Sequence, residues 1–251
     1  MPTSRPFVLS IAGFDPSAGA GVLADIKTFE QHRVYGFAIT TANTIQTENE
    51  FISIQWTPIE LVLQSIQTLF SNYEIKAVKI GIVPSVGYLK KIILLLKQLS
   101  PSIIIVWDTI LKSSTEFGFL DIENQNELLS VLSKIDLITP NYTEVAQLGI
   151  KENTISKTID NLNKYCSVLL KGGHNLDEIG TDYLYTKDLF FRIIPINAEV
   201  YAKHGSGCVL SAAITANLAT ENNLLVACKK GKKYIESFLL SNTTQLGYHY
   251  V

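Results

Sequence analysis

Charge is scarce in this sequence, and none of it is concentrated. Asp, Glu, Lys and Arg make up 18% of the 251 residues, the formal net charge is −2, and no run of Lys or Arg exceeds a pair. A general nucleic-acid surface is thereby excluded. Cysteine is equally sparse. Cys166, Cys208 and Cys228 stand at wide, odd spacing that makes neither a disulfide framework nor a zinc pattern. They read as thiols in a reducing compartment. No C-x-x-C occurs, which counts against thiol-redox chemistry. "MPTSRP" runs into only a short apolar stretch with Asp15 soon after, unlike a signal peptide. "KKIILLLKQL" is too short and too charged at its flanks to span a bilayer. The expectation is a cytoplasmic protein that binds neither membrane nor nucleic acid.

What is present is a large apolar fraction. Hydrophobic residues reach 47%, enough to bury a substantial core, and no composition shift marks a linker. Residues 1–251 therefore read as one domain. Strand-length apolar runs alternate with helix-length segments. "FVLSIAG" is a strand, followed by a helix near Ala20–Arg33. "GFAITTANTI", "AVKIGIV", "SIIIVWD", "DLITPN" and "SVLLKGG" are further strands. "PIELVLQSIQTLF", "YLKKIILLLKQL", "NELLSVLSKI" and "TEVAQL" are helical. "TDYLYTKDLFFRIIPI" reads as two antiparallel strands broken at Thr186–Asp188. Such alternation predicts an α/β fold, a mostly parallel sheet with helices on both faces and one antiparallel pair.

In open α/β sheets ligands gather at the C-terminal ends of strands. Gly13–Asp15, Gln46, Gly81, Asp108, Asn141 and Lys171–Gly173 all fall at such ends. "GFDPSAGAG" carries neither the G-x-G-x-x-G offsets nor a G-K-[ST], so it is not a dinucleotide or P-loop motif. It is a plain loop, or one whose small residues let a flat ligand approach. Gln46 presents an acceptor and two donors on one planar amide, suited to a ring nitrogen beside an amine. Asp108 and Glu144 are oxygen ligands of the kind Mg²⁺ uses, although a Glu there also suits a helix start. Lys171, ending an apolar strand, must pair or meet an anion. His174 reads as an ordinary loop residue.

"HGSGCVLSAAI" starts a helix whose first N–H groups have no internal partners. Gly205, Ser206 and Gly207 can fold into an anion cradle. Cys208, beside that terminus, is expected to have a lowered pKa, or else to be a small buried packing residue. Cys166 and Cys228 are assigned to packing.

Taken in order, "IAGFDPSAGAGVLADIKTF", "YGFAITTANTIQTEN", "VKIGIV", "LITPNYTEVAQL", "LLKGGH", "DYLY" and "HGSGCVLSAAI" resemble the ribokinase-like superfamily. More closely they resemble the hydroxymethylpyrimidine/phosphomethylpyrimidine kinases of thiamine biosynthesis. The resemblance implies a ribokinase-like three-layer sandwich. It implies ATP-dependent phosphorylation of 4-amino-5-hydroxymethyl-2-methylpyrimidine and then of its monophosphate, with Mg²⁺, in a homodimer. Gln46 would read the aminopyrimidine edge, with Gly13, Asp25 and Ile82 in the substrate pocket. Asn141, Glu144, Lys171 and Lys232 would face the nucleotide, and Asp108 and Glu144 the metal. Gly205, Ser206, Gly207 and Cys208 would form the anion hole. Cys208, in place of the Asp of most ribokinase relatives, would act as base alongside Lys171.

Several positions depart from that family pattern. Phe14 replaces Ser or Thr, Ala18 a common Gly, and Ile82 the Met of "KIGM". "WDTILKSSTEFG" departs from "DPVM", and "LGYHYV" stands where Gly-His-Gly-Pro is expected. A pyridoxal or pyridoxine substrate stays open, since cysteine-containing pyridoxal kinases share the scaffold. A ligand-binding regulator without turnover is a third reading.

Overall fold

A computed structural model describes residues 4–112, 117–120, 122, 124–149, 154–173, 178–197 and 199–250. His174 lies outside the described residues. The strands are β1 (Phe7–Phe14), β2 (Tyr35–Gln46), β3 (Phe51–Trp56), β4 (Ile75–Ile80), β5 (Ile104–Trp107), β6 (Leu137–Ile138), β7 (Ser167–Leu170), β8 (Asp182–Tyr185) and β9 (Phe190–Ile193). They form one sheet in the order β3-β2-β1-β4-β5-β6-β7-β8-β9. From β2 to β7 every neighbour is parallel. The central strands are apolar on both faces because both are covered.

The helices are α1 (Gly21–Gln31), α2 (Ile59–Asn72), α3 (Val86–Leu99), α4 (Gln125–Leu132), α5 (Tyr142–Leu148), α6 (Ile155–Leu162), α7 (Ser206–Ala219) and α8 (Leu224–Leu239). Buried residues of α2, α3 and α4 build one core against the sheet, around Leu89, Ile92 and Trp107. Those of α1, α7 and α8 build the other, around Ala24, Val209, Ile214 and Phe238. In α7 every residue from Cys208 to Ala219 is buried, because small side chains let the helix pass between sheet and α8. Among the described residues no helix is long and apolar enough to cross a membrane.

The predicted antiparallel pair is β8–β9. Two elements were not anticipated. β3 pairs antiparallel with β2 at the sheet edge, and α6 precedes β7. Helix starts set up the site. α3, α4, α5, α6 and α8 each begin with a Ser, Asn or Thr side chain accepting a first-turn N–H. α1 and α7, which begin at the C-terminal edge of the central strands, have no side-chain cap. Their first-turn N–H groups are left for other acceptors.

Candidate active site

A cleft of about 780 Å³ runs along the C-terminal ends of the parallel strands, from Gln46 past Gly205 to Lys232. Its floor is built by glycine. Gly205 has φ +71°, and a Cβ there would sit 2.0 Å from the Gly19 carbonyl oxygen. Gly21 has φ +61°, and its Cβ would lie 2.1 Å from the Gly13 oxygen. The loop after β1 and the loop before α7 are thus in direct backbone contact, which no larger residue permits.

Under the start of α7 lies a buried charge cluster. Lys171 follows β7 and is fixed by its N–H donating to the Pro140 carbonyl at 2.8 Å. Its ammonium is 3.0 Å from Asp108 Oδ1 and 3.6 Å from Glu144 Oε2. A Cβ on Gly207 would come within 3.3 Å of that ammonium, so the α7 backbone lies directly over it. Burial alone would lower the Lys171 pKa, but Asp108 and Glu144 reverse this and hold it above the ordinary value. Asp108 Oδ1 also accepts from Thr139, and Oδ2 from Ser211. Burial pushes this carboxyl up, yet Lys171 and Lys79 outweigh it and leave Asp108 below the usual range. For Glu144 burial wins over Lys171, and its pKa is raised.

Asn141 and Glu144 cap α5 reciprocally. Glu144 N–H donates to Asn141 Oδ1 and Asn141 N–H to Glu144 Oε2, both at 2.8 Å. The helix-start reading of Glu144 therefore holds, and the residue lines the cleft as well. Asp108 does not line it. This carboxylate is 0% exposed and its oxygens are engaged, so of the two expected metal carboxylates only Glu144 faces the cleft. Among the described residues no three His, Cys, Asp or Glu side chains are grouped to hold a metal ion by themselves.

At the other end, Gln46, Gly13 and Ile82 line the cleft together. A Cβ on Gly13 would fall 2.5 Å from Ile82 Cδ1, so the absent side chain makes room for Ile82. Ile82 is held by Thr41, whose hydroxyl donates to its carbonyl at 2.7 Å. Asp25, expected in this pocket, is one layer behind it. It is fully buried, 2.8 Å from Lys79 Nζ through both oxygens and 2.6 Å from the Ser10 hydroxyl. A buried lysine needs a counter-charge, and Asp25 is that counter-charge.

Cys208 corrects a second expectation. The thiol is buried, and burial pushes its pKa up to about 11, against the opposing pull of Lys79. The helix terminus does not overcome desolvation, so at neutral pH the group is a thiol, not a thiolate. Cys166 and Cys228 are buried packing residues, as expected. Lys232 lines the cleft but is tied down, 2.9 Å from Asp182 Oδ2 and donating to the Gly180 carbonyl. Asp182 in turn accepts the Gly172 N–H at 2.8 Å.

Some cleft residues were not singled out from sequence. His204 Nε2 is 2.9 Å from Asp15 Oδ2, joining the loop before α7 to the loop after β1. Asp15 also accepts from Ser17 and from the Ala20 N–H at the start of α1. Burial raises its pKa, but the bonds from His204 and Ser17 leave it lowered. Lys203 Nζ donates to the carbonyls of Asn242 and Thr244 at 2.6 and 2.7 Å, and His204 N–H to that of Gln245 at 2.9 Å. The segment after α8 is thereby strapped to the loop before α7, with Gln245 in the cleft wall.

The sequence model of the phosphomethylpyrimidine kinase family matches residues 15–251. The chain belongs to that family. A hydroxymethylpyrimidine/phosphomethylpyrimidine kinase of Aquifex aeolicus is 33% identical over 249 residues, covering 96% of this chain and 97% of the relative. Among solved structures, phosphomethylpyrimidine kinase from Clostridium difficile 630 superposes with a TM-score of 0.76 at 30% identity, over 92% of this chain and 98% of that one. Pyridoxal kinase from Staphylococcus aureus, in complex with AMP-PCP, superposes with a TM-score of 0.82 at 25% identity, over 97% and 92%. The fold is the ribokinase-like sandwich that these kinases share.

Proposed function

We propose that this chain phosphorylates 4-amino-5-hydroxymethyl-2-methylpyrimidine with ATP, and then phosphorylates the monophosphate to the diphosphate. One observation carries the reading. The uncapped start of α7, stacked over Lys171, shares a single cleft with the Gln46 amide. A polyanion suits the first end and a planar amino-heterocycle the second.

In the first step the alcohol oxygen forms a bond to the γ-phosphorus. The bond from that phosphorus to the β,γ-bridging oxygen breaks, and ADP leaves with the electron pair. The N–H groups of Gly205–Cys208 stabilise the transferring phosphoryl group, and Lys171 offsets its charge. The hydroxyl proton leaves late, because Cys208 holds no thiolate in the resting protein. Cys208 lines the acceptor site, and it can take that proton only after its own has left to solvent, so the minor thiolate form would be the base as the new bond forms. In the second step the acceptor is already a phosphate, ionised near neutrality, and needs no base. Mg²⁺ fits as an ion carried in on the phosphates and held on the protein side by Glu144, directly or through water. It would neutralise phosphate charge there. Asp108 acts behind it by fixing Lys171, and Lys232 acts by holding Gly180 directly and Gly172 through Asp182. Asn141 presents the capped start of α5 to the nucleotide. We take residues 1–251 as one kinase domain, working as a cytoplasmic homodimer.

A second reading, pyridoxal phosphorylation, is favoured by the fit to pyridoxal kinase, and Ile82 in place of the family methionine leaves the acceptor open. ATP turnover with the pyrimidine alcohol, its monophosphate and pyridoxal, run side by side, tests both. Turnover of the two pyrimidines ahead of pyridoxal is the expected result. A clear pyridoxal preference overturns the first reading, and binding without ADP release points to a regulator.

A further inference from the structure

Beside Gln46 the cleft carries an aromatic wall that none of the site residues above accounts for. Phe51, the first residue of β3, is the direct register partner of Gln46 across the β2–β3 ladder. The register shifts by one residue between Ile45 and Gln46, and this bulge turns Phe51 rather than Ile52 to the position opposite Gln46. Both line the cleft, and so does Phe119. The Phe51 and Phe119 ring centroids are 5.4 Å apart and nearly perpendicular. Phe117 stacks on Phe51 at 4.7 Å, and Trp56 meets Phe119 edge-on at 6.4 Å. Four rings thus brace one another at the mouth of a cleft, where Phe51 and Phe119 are only half-buried. Apolar rings left at a cleft wall, locked by edge and stacking contacts, suit a planar π-face better than a sugar. The adjacent amide suits the heteroatom edge of that same plane.

We propose that Phe51 and Phe119 form a stacking platform for the aromatic ring of the acceptor, and that with Gln46 they set specificity for planar heterocyclic alcohols. The inference rests on the kinase reading, and it deepens it by naming the surface that selects the ring. Phe117 and Trp56 are positioning residues that hold the platform.

The test uses the full chain, ATP with Mg²⁺, and 4-amino-5-hydroxymethyl-2-methylpyrimidine. Phe51→Leu and Phe119→Leu keep an apolar side chain but remove the π-face. Each is expected to raise KM for the heterocycle about tenfold, in line with the measured worth of base–aromatic stacking. kcat and the KM for ATP should stay within about twofold, and Phe119→Tyr should keep the heterocycle KM within about threefold. Calorimetric titration of the heterocycle without ATP should show the same loss of affinity. An unchanged heterocycle KM in both Leu variants overturns the platform. So does an equal rise in the KM for ATP, or a change in sedimentation with KM unaltered, which would make the rings packing or an interface between copies. If Phe119→Leu does not fold, Phe51→Leu and Phe119→Tyr decide. Absence of turnover by the unsubstituted chain with any heterocyclic alcohol overturns the kinase reading, and the platform with it.

Discussion

Lys171 and Asp108 form a 3.0 Å ion pair immediately beneath the backbone of Gly207, and Asp108 has no exposure to solvent. Lys171→Met strands a buried carboxylate. It should abolish phosphoryl transfer and lower stability by about 3–5 kcal/mol. Adding Asp108→Asn should recover most of the stability and none of the activity, as read by urea unfolding and ADP release. A single Lys171→Met variant as stable as the parent would remove the pair from the account.

Cys208 should behave as a buried, protonated thiol. With Cys166 and Cys228 replaced by Ala, alkylation of Cys208 by iodoacetamide should accelerate steadily up to about pH 11, where its pKa lies. An inflection between pH 6 and 8 would show the thiolate that the helix-terminus argument alone predicts. Cys208→Ala should slow the alcohol step and leave the monophosphate step nearly intact, since only the alcohol must lose a proton.

Ala18 occupies the left-handed region at φ 57°. That conformation costs an L-residue roughly 1–2 kcal/mol, and glycine's extra entropy in the unfolded chain returns part of the gain. Ala18→Gly should raise stability by about 0.5–1 kcal/mol, or about 2 °C in Tm for a chain of this size. A fall in Tm would contradict the strain.

His32 and His249 are both held near pKa 4, chiefly by burial, with Lys230 and Lys27 adding to it. In the unfolded chain they titrate near ~6.5. Between those values the unfolded state binds more protons, so stability falls as pH drops from about 6.5 towards 4 and these groups add nothing further below that. Urea midpoints taken from pH 7.5 to 4.5 should show this slope, and His249→Gln should make it shallower.

The parallel core of the sheet was legible because each central strand is apolar on both faces. β3 was not: "FISIQW" is a half-exposed edge strand, identified by its pairing with β2. α6 is short and buries only Thr158, Ile159 and Leu162. Lys171 and Gly205–Cys208 could be found because a strand-end lysine and a glycine-bounded helix start are local signals. His204, Lys79 and Asp182 could not, since each matters through a partner 189, 54 and 50 positions away. A lysine inside the unbroken apolar strand "AVKIGIV" was the one available hint for Lys79. The resemblance placed Asp25 in the pocket, and only the fold shows its pairing with Lys79. Cys208 was misjudged because helix-terminus electrostatics are local, whereas burial is set by the whole fold.

The strap after α8 has a consequence for how the protein is made. Lys203 holds Asn242 and Thr244, and Gln245 completes the cleft wall beside loops that emerge from the ribosome some two hundred residues earlier. The central strand β1 and its neighbours can assemble while synthesis continues, since domains begin folding from the N-terminal side. The cleft wall is complete only once residues 242–245 are free to fold against the loop before α7. A polypeptide halted before Asn242 would therefore carry the anion loop without the segment that braces it.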